Sequence, residues 1–306
     1  MKPRYAAVDM GTNSVRLLVA EVKEGRVVPL LTRLVTTRLG RELEQRKKLH
    51  PESRQATLAA VIDYARLCQE MGVMKAYGVA TSAVREAEDG KEFVAEVTAK
   101  SGIPFAVISG KEEAYLTYSG VAGSFSTQNP GPLVVVDIGG GSTELVWQEE
   151  GEVQAESVPV GAVKVTEKGT GQEEIRKMLQ PVTKRVLAAL RSDFTLVGVG
   201  GTATTFAAVD LELTEYSREK VQGYVLSRER VAQILHCLEG MSLAERQKVP
   251  GLMPQRADII CAGGTILLTV MEELRRERIT VSEADLLEGV IYRLLKEKES
   301  SFCRNI

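Results

Sequence analysis

The chain has 306 residues, 44% hydrophobic and 26% charged, which is the composition of an ordinary globular protein of about two domains. Its 39 Lys and Arg against 41 Asp and Glu give a formal charge of −2, so there is no electrostatic basis for sequence-blind binding to nucleic acid or a bilayer. Four scattered cysteines without a C-x-x-C pair and two histidines speak against a zinc site, a disulfide framework and a Ser-His-Asp triad.

No apolar run reaches the roughly 20 residues of a membrane span, and the N-terminus leads into a short strand rather than a secretory segment. We therefore expect a cytoplasmic protein without membrane or nucleic-acid partners. Its chemistry has to use carboxylates, hydroxyls, backbone amides and basic side chains.

The first part of the chain alternates strand and helix patterns. Apolar residues recurring at helical spacing indicate a helix over 52–71. The predicted order is strands 4–10, 14–22 and 26–37, helix 52–71, strand 75–80, helix 87–101, strand 105–109 and a helix from about Lys111.

The second part also begins with three strands and continues with strands and helices. The predicted order is strands 133–137, 143–149 and 153–158, helix 173–191, strand 195–199, a helix after Gly200-Gly201, helices 227–239, 243–249 and 256–275, strand 278–281 and helix 283–297. Both parts therefore predict a mixed α/β sheet, with the cleft between two copies as the default ligand site.

An internal repeat supports this duplication. The pattern of residues 7–19 recurs over 135–147 at a constant offset of 128 residues: an apolar strand ending at Asp, a Gly-containing turn with hydroxyls, and a second apolar strand. Each copy is typical of a β-hairpin. Breaker residues are dense over 124–132, so we place an N-terminal domain at 1–126 and a C-terminal domain at 127–306, with the last helix free to pack back on the first domain.

The two turns are suited to phosphate, because glycine leaves backbone N–H groups unshielded. One such hairpin alone is compatible with an ordinary tight turn, but two at one offset favour a shared function. The predicted phosphate-binding residues of the turns are Gly11, Thr12, Asn13 and Ser14 in one copy and Gly139, Gly140, Gly141 and Ser142 in the other. Asp9 and Asp137 end the preceding strands, where their carboxylates are candidate ligands for Mg²⁺.

Four motifs carry a family resemblance. Residues 8–14 (VDMGTNS), 80–85 (ATSAVR), 108–114 (ISGKEEA) and 136–145 (VDIGGGSTEL) resemble the exopolyphosphatase and guanosine pentaphosphate phosphohydrolase family, in family order. The resemblance implies the actin-like superfold, with two ribonuclease-H-like domains flanking a central cleft. It also implies hydrolysis of a terminal phosphoanhydride dependent on Mg²⁺ or another divalent cation.

The resemblance also implies roles for single residues. Glu113 matches the catalytic glutamate that positions and deprotonates water, and Glu144 a second carboxylate near water and metal. Asp137 matches a metal-side carboxylate and Arg85 a phosphate contact. From the residues alone, Glu112 and Glu113 also read as first-turn acids that stabilise a helix. Leu287 departs from the family, which usually has arginine there.

Several alternatives stay open. The duplicated fold also suits an ATP-dependent sugar or acetate kinase and a filament or chaperone ATPase, but the Ser-Gly-Lys-Glu-Glu-Ala segment favours the hydrolase. Inorganic polyphosphate is preferred over guanosine pentaphosphate as substrate because no aromatic cluster suited to guanine is visible, with aromatics at only 5%. A homodimer is left open, since apolar helices such as 266–274 offer a surface for a second copy.

Overall fold

A computed structural model describes residues 3–125, 131–191 and 194–303. The chain divides into two compact units, one formed by Met1–Ser124 with Leu286–Ile306 and the other by Phe125–Asp285. The expected boundary between residues 126 and 127 lies outside the described residues. We describe each unit by itself.

Unit 1 is built on a five-stranded mixed sheet of order β3-β2-β1-β4-β5. Its elements are β1 (Arg4–Met10), β2 (Ser14–Lys23), β3 (Arg26–Thr36), α1 (Leu43–Arg46), α2 (Pro51–Glu70), β4 (Val73–Ala80), α3 (Ser82–Glu86), α4 (Gly90–Ser101), β5 (Phe105–Val107) and α5 (Gly110–Ser124). Strand β1 is central, antiparallel to β2 and parallel to β4. Six of its seven residues are buried, so β1 forms the middle of the core on both faces of the sheet.

Unit 2 has a six-stranded sheet of order β10-β11-β9-β6-β7-β8. Its elements are β6 (Leu133–Ile138), β7 (Thr143–Glu149), β8 (Glu152–Val158), α6 (Ala162–Lys168), α7 (Gln172–Leu190), β9 (Thr195–Val199), α8 (Gly200–Asp210), α9 (Arg218–Val221), β10 (Val225–Ser227), α10 (Arg228–Glu239), α11 (Leu243–Arg246), a 3₁₀ turn (Pro254–Arg256), α12 (Ile260–Glu273) and β11 (Arg278–Val281). Strand β6 repeats the placement of β1, because it is antiparallel to β7 and parallel to β9.

The last helix, α13 (Leu286–Cys303), belongs to unit 1. It packs closely against α5, because Gly289 lies on the backbone of Leu116 and Gly123 lies on the ring of Tyr292. A Cβ at Gly289 would come within 1.9 Å of the Leu116 carbonyl oxygen, so glycine permits this approach of two helices. The sequence analysis assigned this helix to the C-terminal domain and allowed that it packs on the N-terminal domain.

The paired hairpins and most of the other elements fall where the sequence predicted them. The helix predicted over 87–101 is α4, which begins only at Gly90, and a separate short helix that was not predicted, α3, precedes it. The break arises because Gly90 packs on the carbonyl of Val84, where a Cβ would lie 1.9 Å from that oxygen. Short elements such as α6 and β10 were not predicted, since three to seven residues show too little periodicity.

Among the described residues, no helix is both long and apolar enough to cross a membrane.

Candidate phosphate-binding and catalytic residues

Unit 1 gathers its predicted site residues at one edge of its sheet. Parallel pairing places Met10 of β1 beside Ala80 of β4, and Ala80 beside Val107 of β5. The turn of residues 11–14, the segment that carries Arg85 and the helix that carries Glu113 each follow one of these strand ends. The carboxyl ends of parallel strands are where α/β sheets bind ligands, so these three groups occupy the expected edge.

The turn of residues 11–14 is held by backbone hydrogen bonds. The Gly11 N–H donates to the Ser14 carbonyl at 3.0 Å. The loop after β3 occupies the carbonyls of the turn: the Gly40 N–H donates to Thr12 at 2.8 Å, and the Thr37 and Arg38 N–H groups donate to Asn13 at 3.1 and 2.9 Å. Because these acceptors are already used, the exposed Thr12 and Asn13 offer mainly donors, which suits an anion.

Asp9 faces a cation across the hairpin. It is paired in register with Arg16 on β2, and the Arg16 Nε and Nη2 donate to Oδ2 of Asp9 at 3.0 and 2.8 Å. Asp9 is only 6% exposed, so this guanidinium balances a buried carboxylate. Arg16 therefore competes with the predicted metal role of Asp9, which stays a prediction.

Arg85 and Glu113 are in contact, although 28 residues separate them. The Arg85 Nη1 donates to the Ile108 carbonyl at 2.8 Å and to Oε2 of Glu113 at 3.3 Å. Both side chains are about one third exposed, at 33% and 34%. Since Nη1 makes both bonds, Nε and Nη2 of Arg85 form no hydrogen bond within the described part of the chain. Those two N–H groups form the edge of a guanidinium that binds carboxylate or phosphate in a bidentate manner.

The neighbouring Glu112 has a different partner. Its Oε1 accepts a hydrogen bond from Nη1 of Arg293 on α13 at 2.6 Å, and the Arg293 guanidinium also lies 5.0 Å from the centre of the Tyr77 ring. Glu112 thus ties α5 to α13, whereas Glu113 lies beside Arg85. The two adjacent glutamates have separate structural surroundings.

Unit 2 repeats the arrangement at its own strand ends. Parallel pairing places Asp137 of β6 beside Val199 of β9, and Gly198 of β9 beside Val281 of β11. The turn of residues 139–142 follows β6, and α8 begins at Gly200 directly after β9. The Gly139 N–H donates to the Ser142 carbonyl at 2.9 Å, as Gly11 does to Ser14 in unit 1.

The carbonyls of the second turn are occupied by α6. The Ala162 N–H donates to Gly139 at 2.9 Å, and the N–H groups of Val163 and Lys164 donate to Gly140 at 2.9 and 3.2 Å. Helix α6 therefore supplies hydrogen-bond donors to the carbonyls of residues 139–142, as the loop after β3 does for those of residues 11–14. Because Gly139, Gly140 and Ser142 already use their carbonyls, the turn again offers mainly donors to a ligand.

Two carboxylates face each other in unit 2 where unit 1 has an ion pair. Asp137 on β6 is in register with Glu144 on β7, and Glu144 with Ser157 on β8. Oε1 of Glu144 accepts hydrogen bonds from Ser142 Oγ at 2.5 Å and from Ser157 Oγ at 2.8 Å. Like charges directly opposite across a sheet are destabilising, so this pair is one that a bound cation would stabilise.

The carboxylates of Asp137 and Glu144 suit a magnesium ion. Within residues 3–125, 131–191 and 194–303, no group of three or more His, Cys, Asp and Glu is placed to hold a metal ion. Mg²⁺, however, is usually held by one or two carboxylates, with water and substrate phosphate completing its shell. Asp137 and Glu144 supply two such carboxylates on adjacent strands.

A cluster of half-buried charged side chains lies at the start of α8. Gly200 has φ +73°, and a Cβ there would lie 2.3 Å from Oδ1 of Asp137, so the turn and this carboxylate are in close contact. The Arg256 guanidinium lies against Gly201, where it occupies the space of a side chain. Burial lowers the pKa of Arg256, while the nearby Tyr216, Asp137 and Glu283 raise it. Burial likewise raises the pKa of Glu283.

Three site-edge cations have contacts that the sequence did not predict. They are Arg16, Arg256 and Lys164, to which the sequence patterns gave no role. The constant offset of 128 residues could have revealed Arg16, because Arg16 and Glu144 occupy equivalent positions opposite Asp9 and Asp137.

The comparisons with known proteins agree on one family. The model of the Ppx/GppA phosphatase family matches residues 18–298. Exopolyphosphatase 2 of Mycobacterium tuberculosis is 34% identical over 317 aligned residues, which cover 94% of this chain and 97% of that protein. The structure of the Aquifex aeolicus Ppx/GppA phosphatase matches with 31% identity and a TM-score of 0.82, covering 95% of this chain and 99% of that one. A solved exopolyphosphatase-like protein matches with 30% identity and a TM-score of 0.77, covering 96% and 99% of the two chains.

The family match spans both units, and the duplicated mixed sheets have the fold of the solved relatives. The chain therefore belongs to the Ppx/GppA phosphatase family.

Proposed function

We propose that the protein is an exopolyphosphatase, which hydrolyses the terminal phosphoanhydride of inorganic polyphosphate and releases orthophosphate with the help of Mg²⁺ or another divalent cation. The names of its relatives support this activity. The observation that carries this proposal is the contact between Arg85 and Glu113. Arg85 holds Glu113 through Nη1, which leaves its Nε and Nη2 for a ligand.

This geometry gives Arg85 two tasks. Its Nε and Nη2 bind oxygens of the terminal phosphate as a bidentate pair. Its Nη1, which is also anchored on the Ile108 carbonyl, holds the Glu113 carboxylate close to that phosphate. Glu113 then orients a water molecule toward phosphorus and accepts its proton as the P–O bond to the rest of the chain breaks.

The glycine turns supply most of the remaining stabilisation. Phosphoryl transfer requires little covalent chemistry from the protein, so positioning and charge stabilisation dominate. We assign this role mainly to the N–H groups of residues 12–13 and 140–141 and to the hydroxyls of Thr12 and Ser14. The carbonyls of Thr12, Asn13, Gly139 and Gly140 already accept hydrogen bonds from neighbouring segments. The same donors bind any chain of phosphates, which fits a polymeric substrate.

Asp137 and Glu144 are the residues that we assign to the metal. When bound, a divalent cation there neutralises charge on the phosphate oxygens. The hydroxyls of Ser142 and Ser157 fix Glu144 by donating to its Oε1, and the close contact with Gly200 limits the positions open to Asp137. Asp9 remains a second candidate, balanced by Arg16 in this structure.

Guanosine pentaphosphate is the second candidate substrate, and one aromatic side chain favours it. Tyr216 is 51% exposed and its hydroxyl donates a hydrogen bond to Glu283, so part of this side chain is accessible to solvent. A single such ring is sufficient to stack one base. The sequence-based preference for polyphosphate relied on the absence of an aromatic cluster, and Tyr216 weakens that reason. A cytoplasmic location stays a prediction.

The test is orthophosphate release from long-chain polyphosphate and from guanosine pentaphosphate, measured in parallel with Mg²⁺. We expect release from polyphosphate, with a higher kcat/KM than for the nucleotide. A higher kcat/KM for guanosine pentaphosphate that falls in Tyr216→Ala would favour the second candidate. Release from neither substrate would contradict both.

A further inference from the structure

Helix α6 brings a lysine to the second glycine turn. The ammonium nitrogen of Lys164 lies 3.7 Å from the place where a Cβ of residue 141 would be, and its Cε lies 3.6 Å from that place. The lysine stem thus runs along Gly141, next to Ser142 and the hairpin strand that carries Glu144.

The placement of this lysine is fixed by backbone contacts. The first N–H groups of α6 bond to the carbonyls of Gly139 and Gly140. Gly161, the residue before the helix, is pressed against the turn: a Cβ there would lie 2.5 Å from both the Gly140 oxygen and the Ser142 nitrogen. Because helix and turn meet backbone to backbone, a side chain in the first turn of α6 stays close to residues 139–142.

Lys164 has no charge partner in the described part of the chain. It is exposed, and its ammonium forms no ion pair or hydrogen bond with a described residue. The cations of unit 1 at comparable places differ, because Arg16 is paired with Asp9 and Arg85 with Glu113. An ammonium without a charge partner, beside a turn in which Gly139, Gly140 and Ser142 already use their carbonyls, is a further positive charge available to an anion.

We propose that Lys164 binds phosphate oxygens of the substrate at the turn of residues 139–142. The inference rests on the proposed function for the chemistry of the ligand, a chain of phosphates, and on the structure for the residue. A lysine suits this task because its ammonium is a compact charge on a flexible stem, which can follow successive phosphates of a polymer without a fixed geometry.

Equilibrium binding tests the proposal independently of hydrolysis. The Kd of short-chain sodium polyphosphate is measured by titration calorimetry in excess chelator, at low ionic strength. We expect Lys164→Ala to raise the Kd about three- to fivefold, the upper part of the range for one solvent-exposed charge–charge contact. Lys164→Arg keeps the charge and should remain within about twofold of wild type.

A matched control is available on the same helix. Lys168 is also exposed and carries the same charge. It lies at the end of α6, four residues beyond Lys164 and therefore farther from residues 139–142. Lys168→Ala should leave the Kd within about twofold of wild type. At about 0.5 M salt the difference between Lys164→Ala and wild type should shrink, because screening weakens exposed charge contacts.

The outcomes separate this proposal from the proposed function. An unchanged Kd in Lys164→Ala, or an equal rise in Lys168→Ala, overturns the role of Lys164. Wild-type protein that binds polyphosphate through Lys164 but releases no orthophosphate with Mg²⁺ refutes the exopolyphosphatase activity and leaves the binding role standing. A lower melting temperature with unchanged Kd in Lys164→Ala would identify a purely structural lysine and also overturns the proposal.

Discussion

Replacing Glu113 with glutamine removes the proposed proton acceptor and keeps the shape of the side chain. Its ion pair with Arg85 is 3.3 Å long between groups about one third exposed, and such a pair contributes roughly 0.2–1 kcal/mol to stability. Loss of a first-turn acid costs about 0.3–1 kcal/mol more. We therefore expect Glu113→Gln to lose at most about 2 kcal/mol of unfolding free energy and to remain folded.

The effect on turnover should be much larger than the effect on stability. General-base catalysis contributes about 10²–10⁴-fold, and Glu113→Gln should lower kcat for polyphosphate by about that factor. The KM should change little, because Arg85 keeps its anchor on the Ile108 carbonyl and its free edge for phosphate. Orthophosphate release under saturating substrate and a thermal melt on the same preparation measure both quantities.

Glu112→Gln is the matched control for this variant. It breaks a 2.6 Å ion pair between α5 and Arg293, so its cost in stability should be similar or larger. Its turnover should stay within about threefold of wild type, since Glu112 contacts no proposed ligand group. Turnover within about threefold in Glu113→Gln would refute the catalytic assignment, whatever the melting temperature, given the factor expected of a general base.

Three further changes have expected results. Arg85→Ala should raise KM about tenfold or more and lower kcat less, because a phosphate contact made in ground and transition states alike acts mainly on binding; steady-state kinetics that show a normal KM with reduced kcat would contradict this. Gly200→Ala should lower the unfolding free energy by about 2–3 kcal/mol, since alanine is strained at φ +73° and its Cβ meets Asp137 Oδ1. Denaturant unfolding measures this change, and an unchanged midpoint would contradict it. Alkylation mapped by mass spectrometry at pH 8 should modify the exposed Cys237 well before Cys68, because burial raises the pKa of the Cys68 thiol to about 11; equal rates would show that α2 opens easily.

The repeated hairpins were predictable because their signal is local. Alternating apolar residues, an Asp at the strand end and a glycine turn identify each hairpin, and the constant offset of 128 residues links the two. The observed strands Arg4–Met10 and Leu133–Ile138 both begin at the predicted residue, and the second ends one residue later than predicted. The strand-end location of Arg85 and Glu113 also follows from the alternating strand and helix pattern.

The partners of these residues were not predictable, because they depend on packing between distant segments. The contact of Arg85 with Glu113 requires β4 and β5 to be adjacent and parallel. The contact of Lys164 with Gly141 depends on a seven-residue helix that has too little periodicity to be recognised. The ion pair of Arg293 with Glu112 arises only because α13 returns to unit 1.

The most direct test of the central claim is orthophosphate release from long-chain polyphosphate by the wild-type protein, with Mg²⁺ and with excess chelator, using Glu113→Gln as the blank. We predict release with Mg²⁺, loss of that release in chelator, and recovery when Mg²⁺ is restored. Equal release in chelator would contradict the metal role of Asp137 and Glu144, and equal release by Glu113→Gln would contradict the catalytic site.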